Sequence, residues 1–166
     1  MKRRRAFSLI ELLIVIMILA IITATAVPMI SGTDDSQCQA AARTLVSDLE
    51  LAQSLALSRQ ASVALVFSDN RQAYKVVLAD GQDLGNYAGL VALEHPLMQN
   101  HDYQVSLAED LRLPDLVVGN VSFGGQRYVV YNTFASPMFG GSVVLTAGKA
   151  TLTVSVESIT GRVSVN

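Results

Sequence analysis

Hydrophobic and polar positions along this chain fall into three successive textures. From Phe7 to Ile30 the residues are apolar almost without a break, and Ser8, Glu11, Thr23 and Thr25 are the only polar ones. Taken as helix, that run extends about 36 Å, enough to cross a bilayer. From Asp34 to Gln60 the period becomes helical and one-sided: Leu45, Leu49, Ala52 and Ala56 recur at i, i+4, i+7 and i+11, behind an acidic and serine-bearing start suited to a helix N-terminus. A stripe of this kind packs on the protein's own core. Pro28 and Gly32 stand between the two segments, where a helix is expected to kink or break as the chain leaves the membrane.

Beyond Gln60 the pattern is that of strands. "SVALVFS" and "AYKVVLA" flank Asp69 to Gln72 as a hairpin. "RYVVYN", "GSVVLT", "ATLTVSVE" and "GRVSVN" add four β-rich runs, with Ala147-Gly148-Lys149 and Thr160-Gly161 as turns. Between these groups Asp80 to Gly125 is less regular, broken at Pro96 and Pro114, with only the short runs "YQVSL" and "LVVGNVSF". That stretch reads as a long variable insertion. Closely spaced strands joined by turns call for antiparallel sheets and not for βαβ units.

Charge turns the apolar run into a topological statement. The 166-residue chain is 51% hydrophobic with a net charge of −2, but Lys2, Arg3, Arg4 and Arg5 place four of its twelve cations before the apolar run. Ser31 to Asn166 carries the other eight against thirteen carboxylates, a net of −5. The positive-inside rule keeps the basic end cytoplasmic and sends the acidic domain across the membrane. Cys38 is the single cysteine, so no disulfide can form within the chain; a small buried helix residue is the favoured reading over a crosslink to a partner.

Three readings of the N-terminus are open. An ordinary secretory signal would use Leu12 to Ile22 as its apolar core and be cut after Ala26, releasing a soluble binding module. A plain membrane anchor would stay uncut. Cleavage on the cytoplasmic side, between Ala6 and Phe7, would remove the basic leader and keep the apolar helix. Glu11 separates them, because a carboxylate within a membrane helix costs about 2.5–3.5 kcal/mol and needs a partner. A chain cut before Phe7 provides one: an α-amino group, with an ordinary pKa of about 7.7–8.0, largely cationic at neutral pH and presentable to the Glu11 of a neighbouring subunit.

These residues carry a resemblance. "RRRAFSLIELLIVIMILAIITATAVP" resembles the class III signal of type IV pilins and type II secretion pseudopilins: a short basic leader, a small residue, Phe-Ser/Thr-Leu-Ile-Glu, then an apolar helix. The resemblance implies that a prepilin peptidase cuts between Ala6 and Phe7 and methylates the amine of Phe7, and that Phe7 and Glu11 make the assembly contact. The family's residue before the cut is nearly always glycine; Ala6 is the smallest substitute and implies slower cleavage. "AARTLVSDLELAQSLALSRQASVALVF", with "FASPMFGG" and the terminal "GRVSVN", is similar to the H-type minor pseudopilins, the GspH/FimT-like group. The middle of the chain is unmatched.

The expected fold class is therefore α+β and pilin-like, a long N-terminal helix whose first half spans the membrane and whose second half packs on antiparallel β-sheets. The expected segments are a leader over 1–6, a membrane helix over 7–30, an amphipathic helix over 31–60 and a β-rich periplasmic domain over 61–166. The resemblance implies a single-pass inner-membrane protein whose partners are other minor and major pseudopilins, the prepilin peptidase, the inner-membrane assembly platform and membrane lipid. Its role would be that of a minor pseudopilin near the tip of a type II secretion pseudopilus; a minor pilin of a type IV pilus is the alternative within the family.

Catalytic and cofactor chemistry finds no support in the residues. His95 and His101 read as solvated loop histidines with no second cysteine or carboxylate cluster to complete a metal site. Asp80 and Asp83 around Gly81 lack the alternating oxygen ligands of a calcium loop and read as a polar turn. No nucleophile elbow or phosphate-binding glycine loop is present, so no cofactor is expected and the chain reads as non-catalytic. Eight scattered cations on an acidic domain argue against nucleic acid, with Arg127 and Arg162 the only suggestion of a local patch.

Overall fold

The computed structural model describes residues 9–30, 33–96 and 98–166. Two compact units are present, Met1–Thr33 and Asp34–Asn166. The first contains helix α1, Leu9–Ile30. It remains helical past Pro28, so the expected interruption does not occur at that residue; Gly32 lies outside the described residues.

Helix α2 (Thr33–Arg59), in the second unit from Asp34 onward, opens with Asp34 and Asp35 in its first turn and closes with Arg59 in its last, each charge complementing the helix dipole. Leu45, Leu49, Ala52 and Ala56 are fully buried, and Cys38 and Ala41 extend the same face toward the N-terminus. The thiol of Cys38 faces the carbonyl oxygens of Leu145 and Ala150 at 3.8 and 3.6 Å, and burial pushes its pKa up. It is a small core residue.

Among the described residues, eight strands form two antiparallel sheets. β1 (Val63–Phe67), β2 (Ala73–Leu78), β3 (Gln104–Ser106) and β5 (Tyr128–Tyr131) make the first, in the order β3-β2-β1-β5. β4 (Leu116–Phe123), β6 (Gly141–Ala147), β7 (Ala150–Val156) and β8 (Val163–Val165) make the second, in the order β4-β6-β7-β8. One core joins α2 to the inner faces of both sheets: Val63, Leu65 and Phe67 of β1 meet Val143 and Leu145 of β6 and the α2 stripe. β1 is buried along its whole length because Ala64 and Val66, on its other face, lie under the segment that follows β2, with Val77, Leu90 and Val130. Burial on both faces explains why this strand is uniformly apolar.

The segment from Asp80 to Gly125 is not a mere insertion, and this corrects the sequence reading. It supplies β3, a one-turn helix α3 (Leu107–Asp110) and β4, the eight-residue edge strand of the second sheet. β4 coincides with the run "LVVGNVSF", whose alternation is broken by a β-bulge. The pairing of β4 with β6 shifts register between Val118 and Val121, so Leu116 and Val118 face the core on one side of Gly119-Asn120 and Val121 and Phe123 do so on the other. The extra residue inverts the alternation that identifies a strand. From β4 the chain passes to β5, in the other sheet, through Gly124 and Gly125 at φ +62° and +86°; a Cβ at Gly124 would come within 2.6 Å of the Phe139 ring.

Turns fall where the polar runs placed them. Ser68 and Asn70 organise the β1–β2 turn: the Ser68 hydroxyl donates to Asn70 Oδ1 at 2.6 Å, which also accepts from the Gln72 N–H at 3.1 Å. Gly148, at φ +55°, carries the β6–β7 turn against Asp34, whose Oδ2 accepts from the Lys149 N–H at 3.3 Å.

Candidate assembly site

α1 is apolar all round and not on one stripe, with Glu11 as the sole charge among its 22 residues. Every described side chain from Leu9 to Ile22 is exposed, including Glu11. A helix of this composition is unstable in water unless lipid or other helices cover it. Glu11 sits in its first turn, where a carboxylate also complements the helix dipole. Ala6 and Phe7, the expected cleavage and methylation positions, lie outside the described residues. Among the described residues no helix is long and apolar enough to cross a membrane; the expected span over 7–30 begins at Phe7 and Ser8, outside them.

The globular unit handles its own helix carboxylate differently. Asp48 of α2 accepts hydrogen bonds from two buried phenols, Tyr74 of β2 through Oδ2 and Tyr103 through Oδ1 at 2.8 Å. Burial, and then the neighbouring Asp48 charge, raise both phenol pKa values well above the ordinary tyrosine range. This clamp fastens α2 to the first sheet and to the segment before β3. Sequence reading missed it, because an aspartate on the margin of an apolar stripe looks like any solvated helix residue.

A second unforeseen feature lies at the C-terminal end of α2. Gln53 Nε2 donates to the carbonyls of Ala135 at 2.9 Å and Thr160 at 3.0 Å, drawing the β5–β6 and β7–β8 loops together. Those loops hold out Phe134, 83% exposed, and Ile159, 77% exposed; Leu57, one turn of α2 beyond Gln53, is exposed as well. The "FASPMFGG" run is thus a surface apolar element, with Met138 and Phe139 also exposed.

The remaining candidates resolve simply. His95 is half-buried with its ring edge-on to Tyr103 at 4.7 Å between centroids, so it is a packing residue and not the solvated loop histidine the sequence pointed to; His101 is exposed. Asp83 Oδ1 accepts from the Gly85 N–H at 3.1 Å, an Asx turn, as expected of a polar loop. Among the described residues no three His, Cys, Asp or Glu side chains are grouped to hold a metal ion. Arg127 is engaged by Asp69 at 2.6 Å, while Arg162 is exposed at the start of the last strand segment.

Comparison with known proteins places these features in a family. Residues 1–27 match the prokaryotic N-terminal methylation motif, and residues 41–161 match the model of the type II transport protein GspH. No curated protein sequence matches the chain. The minor pseudopilin EpsH from the type 2 secretion system of Vibrio cholerae is similar in fold, with a TM-score of 0.56 at 10% identity over 78% of this chain and 96% of that one. So is the type IV minor pilin FimU of Pseudomonas aeruginosa, with a TM-score of 0.54 at 16% identity over 79% of this chain and 89% of that one. An N-terminal helix segment packed on antiparallel sheets is the pilin-like fold of both neighbours, and the match over 41–161 covers most of the chain. The chain therefore belongs to the GspH family of type II transport proteins and begins with a prokaryotic N-terminal methylation motif.

Proposed function

We propose that this protein is a minor pseudopilin of a type II secretion system, assembling near the tip of a periplasmic pseudopilus and supporting the export of folded proteins across the outer membrane. The observation that carries the reading is a single carboxylate, Glu11, in the first turn of a helix apolar on all sides, ahead of a GspH-family domain. In this reading residues 1–6 are a leader, 7–30 an inner-membrane helix surrounded by lipid, and the domain that follows stands in the periplasm. A prepilin peptidase cuts between Ala6 and Phe7 and methylates the new amine. The Phe7 ammonium of one subunit then meets the Glu11 carboxylate of another, where low dielectric makes the pair worth far more than in water and an unpaired charge correspondingly costly. Major and other minor pseudopilins and the inner-membrane assembly platform are the partners, and the protein has no catalytic role.

The minor-pilin alternative draws support from the FimU likeness, which matches the EpsH likeness in extent. The two readings share the Phe7 and Glu11 chemistry proposed here. The test is the intact mass and N-terminal sequence of the mature chain from membranes of its native host, followed by Glu11→Ala. A start at methylated Phe7, with Glu11→Ala inserted in the membrane yet missing from filaments, is the expected result. A start at Val27 would remove Glu11 and the filament reading together, leaving a soluble binding module. Co-isolation of the chain with secretion pseudopilins or with pilus subunits separates the two family readings.

A further inference from the structure

The segment between β2 and β3 lies over the outer face of the first sheet, and the contact contains two polar atoms with no protein partner. Tyr87, in a single 3-10 turn of that segment, and Arg127, just ahead of β5, line one cavity of about 30 Å3, walled also by Leu84, Gly85 and Tyr128. Tyr87 Oη and Arg127 Nη1 are both buried, and neither has a hydrogen-bond partner among the described residues. Their other contacts are set. Arg127 Nη2 binds Asp69 Oδ1 at 2.6 Å, and the Arg127 carbonyl accepts from the Phe67 N–H at 3.0 Å. Lys75 Nζ stands 4.7 Å from the Tyr87 ring centroid and donates to the carbonyls of Tyr87 and Leu90, at 3.3 Å each.

Leaving two such groups unpaired is destabilising, and buried polar atoms in native proteins are nearly always paired, often through ordered water. The cavity's size confines the occupant to one or two waters, since a water needs about 10–15 Å3 and polar partners on more than one side. Charge decides between water and an anion. The guanidinium is already paired with Asp69, an exposed carboxylate that offsets part of its charge and weakens its attraction for a second anion. We propose that this cavity is a binding site for one water molecule, which accepts from Arg127 Nη1, bonds Tyr87 Oη and fastens the β2–β3 segment to the edge of β5. The water adds a second polar tie between segment and sheet, beside the direct bonds from Lys75 of β2 to the Tyr87 and Leu90 carbonyls.

Water-selective nuclear Overhauser spectra of the full-length chain in detergent micelles test this directly. The expected result is a cross-peak from long-lived water to the Arg127 Nη protons and the Tyr87 ring, unchanged as sodium bromide is added. Absence of that cross-peak overturns the proposal, and so does a saturable bromide-induced shift at Arg127, which would identify an anion site instead. In Tyr87→Phe the cross-peak at Arg127 should fall severalfold and amide exchange across residues 80–92 should accelerate severalfold. A full-strength cross-peak with unchanged exchange in that variant would remove the bridging role. The wild-type spectrum decides occupancy even if the variant folds poorly.

Discussion

Glu11 and Asp48 are both carboxylates on helices, and their surroundings differ in every respect that matters. Glu11 stands exposed on a helix apolar on every side, whereas Asp48 sits at the margin of a one-sided stripe and receives two phenolic hydrogen bonds from its own domain. The difference shows how a chain divides its polar chemistry: within the globular unit a carboxylate is satisfied by tertiary contacts, while the apolar helix carries one that, in the function proposed above, is reserved for a contact with another molecule. Stability and assembly should accordingly separate by mutation.

The largest effect expected is on the core. Leu49→Ala, at a fully buried position of the α2 stripe, should cost about 2–5 kcal/mol in urea denaturation followed by near-ultraviolet circular dichroism. Ile16→Ala, at an exposed position of α1, should leave the globular transition within about 0.5 kcal/mol. Equal losses from the two would break the division between units.

Next comes the clamp. Asp48→Ala strands two buried phenols and should destabilise the domain by about 3 kcal/mol, while Tyr103→Phe removes one bond and should cost about 1 kcal/mol. Glu11→Ala should leave that same transition unmoved. If Asp48→Ala were as silent as Glu11→Ala, the contrast between the two carboxylates would collapse.

A smaller effect appears with pH. Tyr74 and Tyr103 have folded-state pKa values raised above the unfolded value of about 10, through burial first and the Asp48 charge second, so the unfolded chain loses their protons first. Their contribution is complete below about pH 10 and declines as pH rises above it. Tyrosinate absorbance from these two residues should emerge together with unfolding, not before it. A titration of the folded protein showing all five tyrosines ionised near pH 10 would contradict the buried clamp.

The smallest effect concerns Cys38. Burial raises its thiol pKa and closes its access, so maleimide should label it slowly in the native chain and quickly in urea. Fast native labelling would place it at the surface, as a crosslinking role requires.

What could be read along the chain and what could not follow one physical distinction. Local periodicity reports which side of an element is dry, and it sufficed for the α2 stripe, the β1–β2 hairpin, four later strands and the turns at Gly148 and Gly161. The charge step at the N-terminus and the Phe7-to-Ile30 run are equally local, and they determined the family resemblance that the match over residues 1–27 bears out. Contacts distant in sequence were decided by tertiary structure alone. The run "LVVGNVSF" could be seen, but its place as β4 at the edge of the second sheet could not, because its bulge inverts the alternation, a defect that makes sense only beside β6. Asp48 meets Tyr74 and Tyr103, 26 and 55 residues away, and no spacing rule pairs residues that far apart. The apolar surface of Phe134 and Ile159 likewise depends on Gln53 reaching two loops at once, 82 and 107 residues distant for the carbonyls it binds. Periodicity records burial element by element; which elements bury one another is settled only when the chain closes on itself.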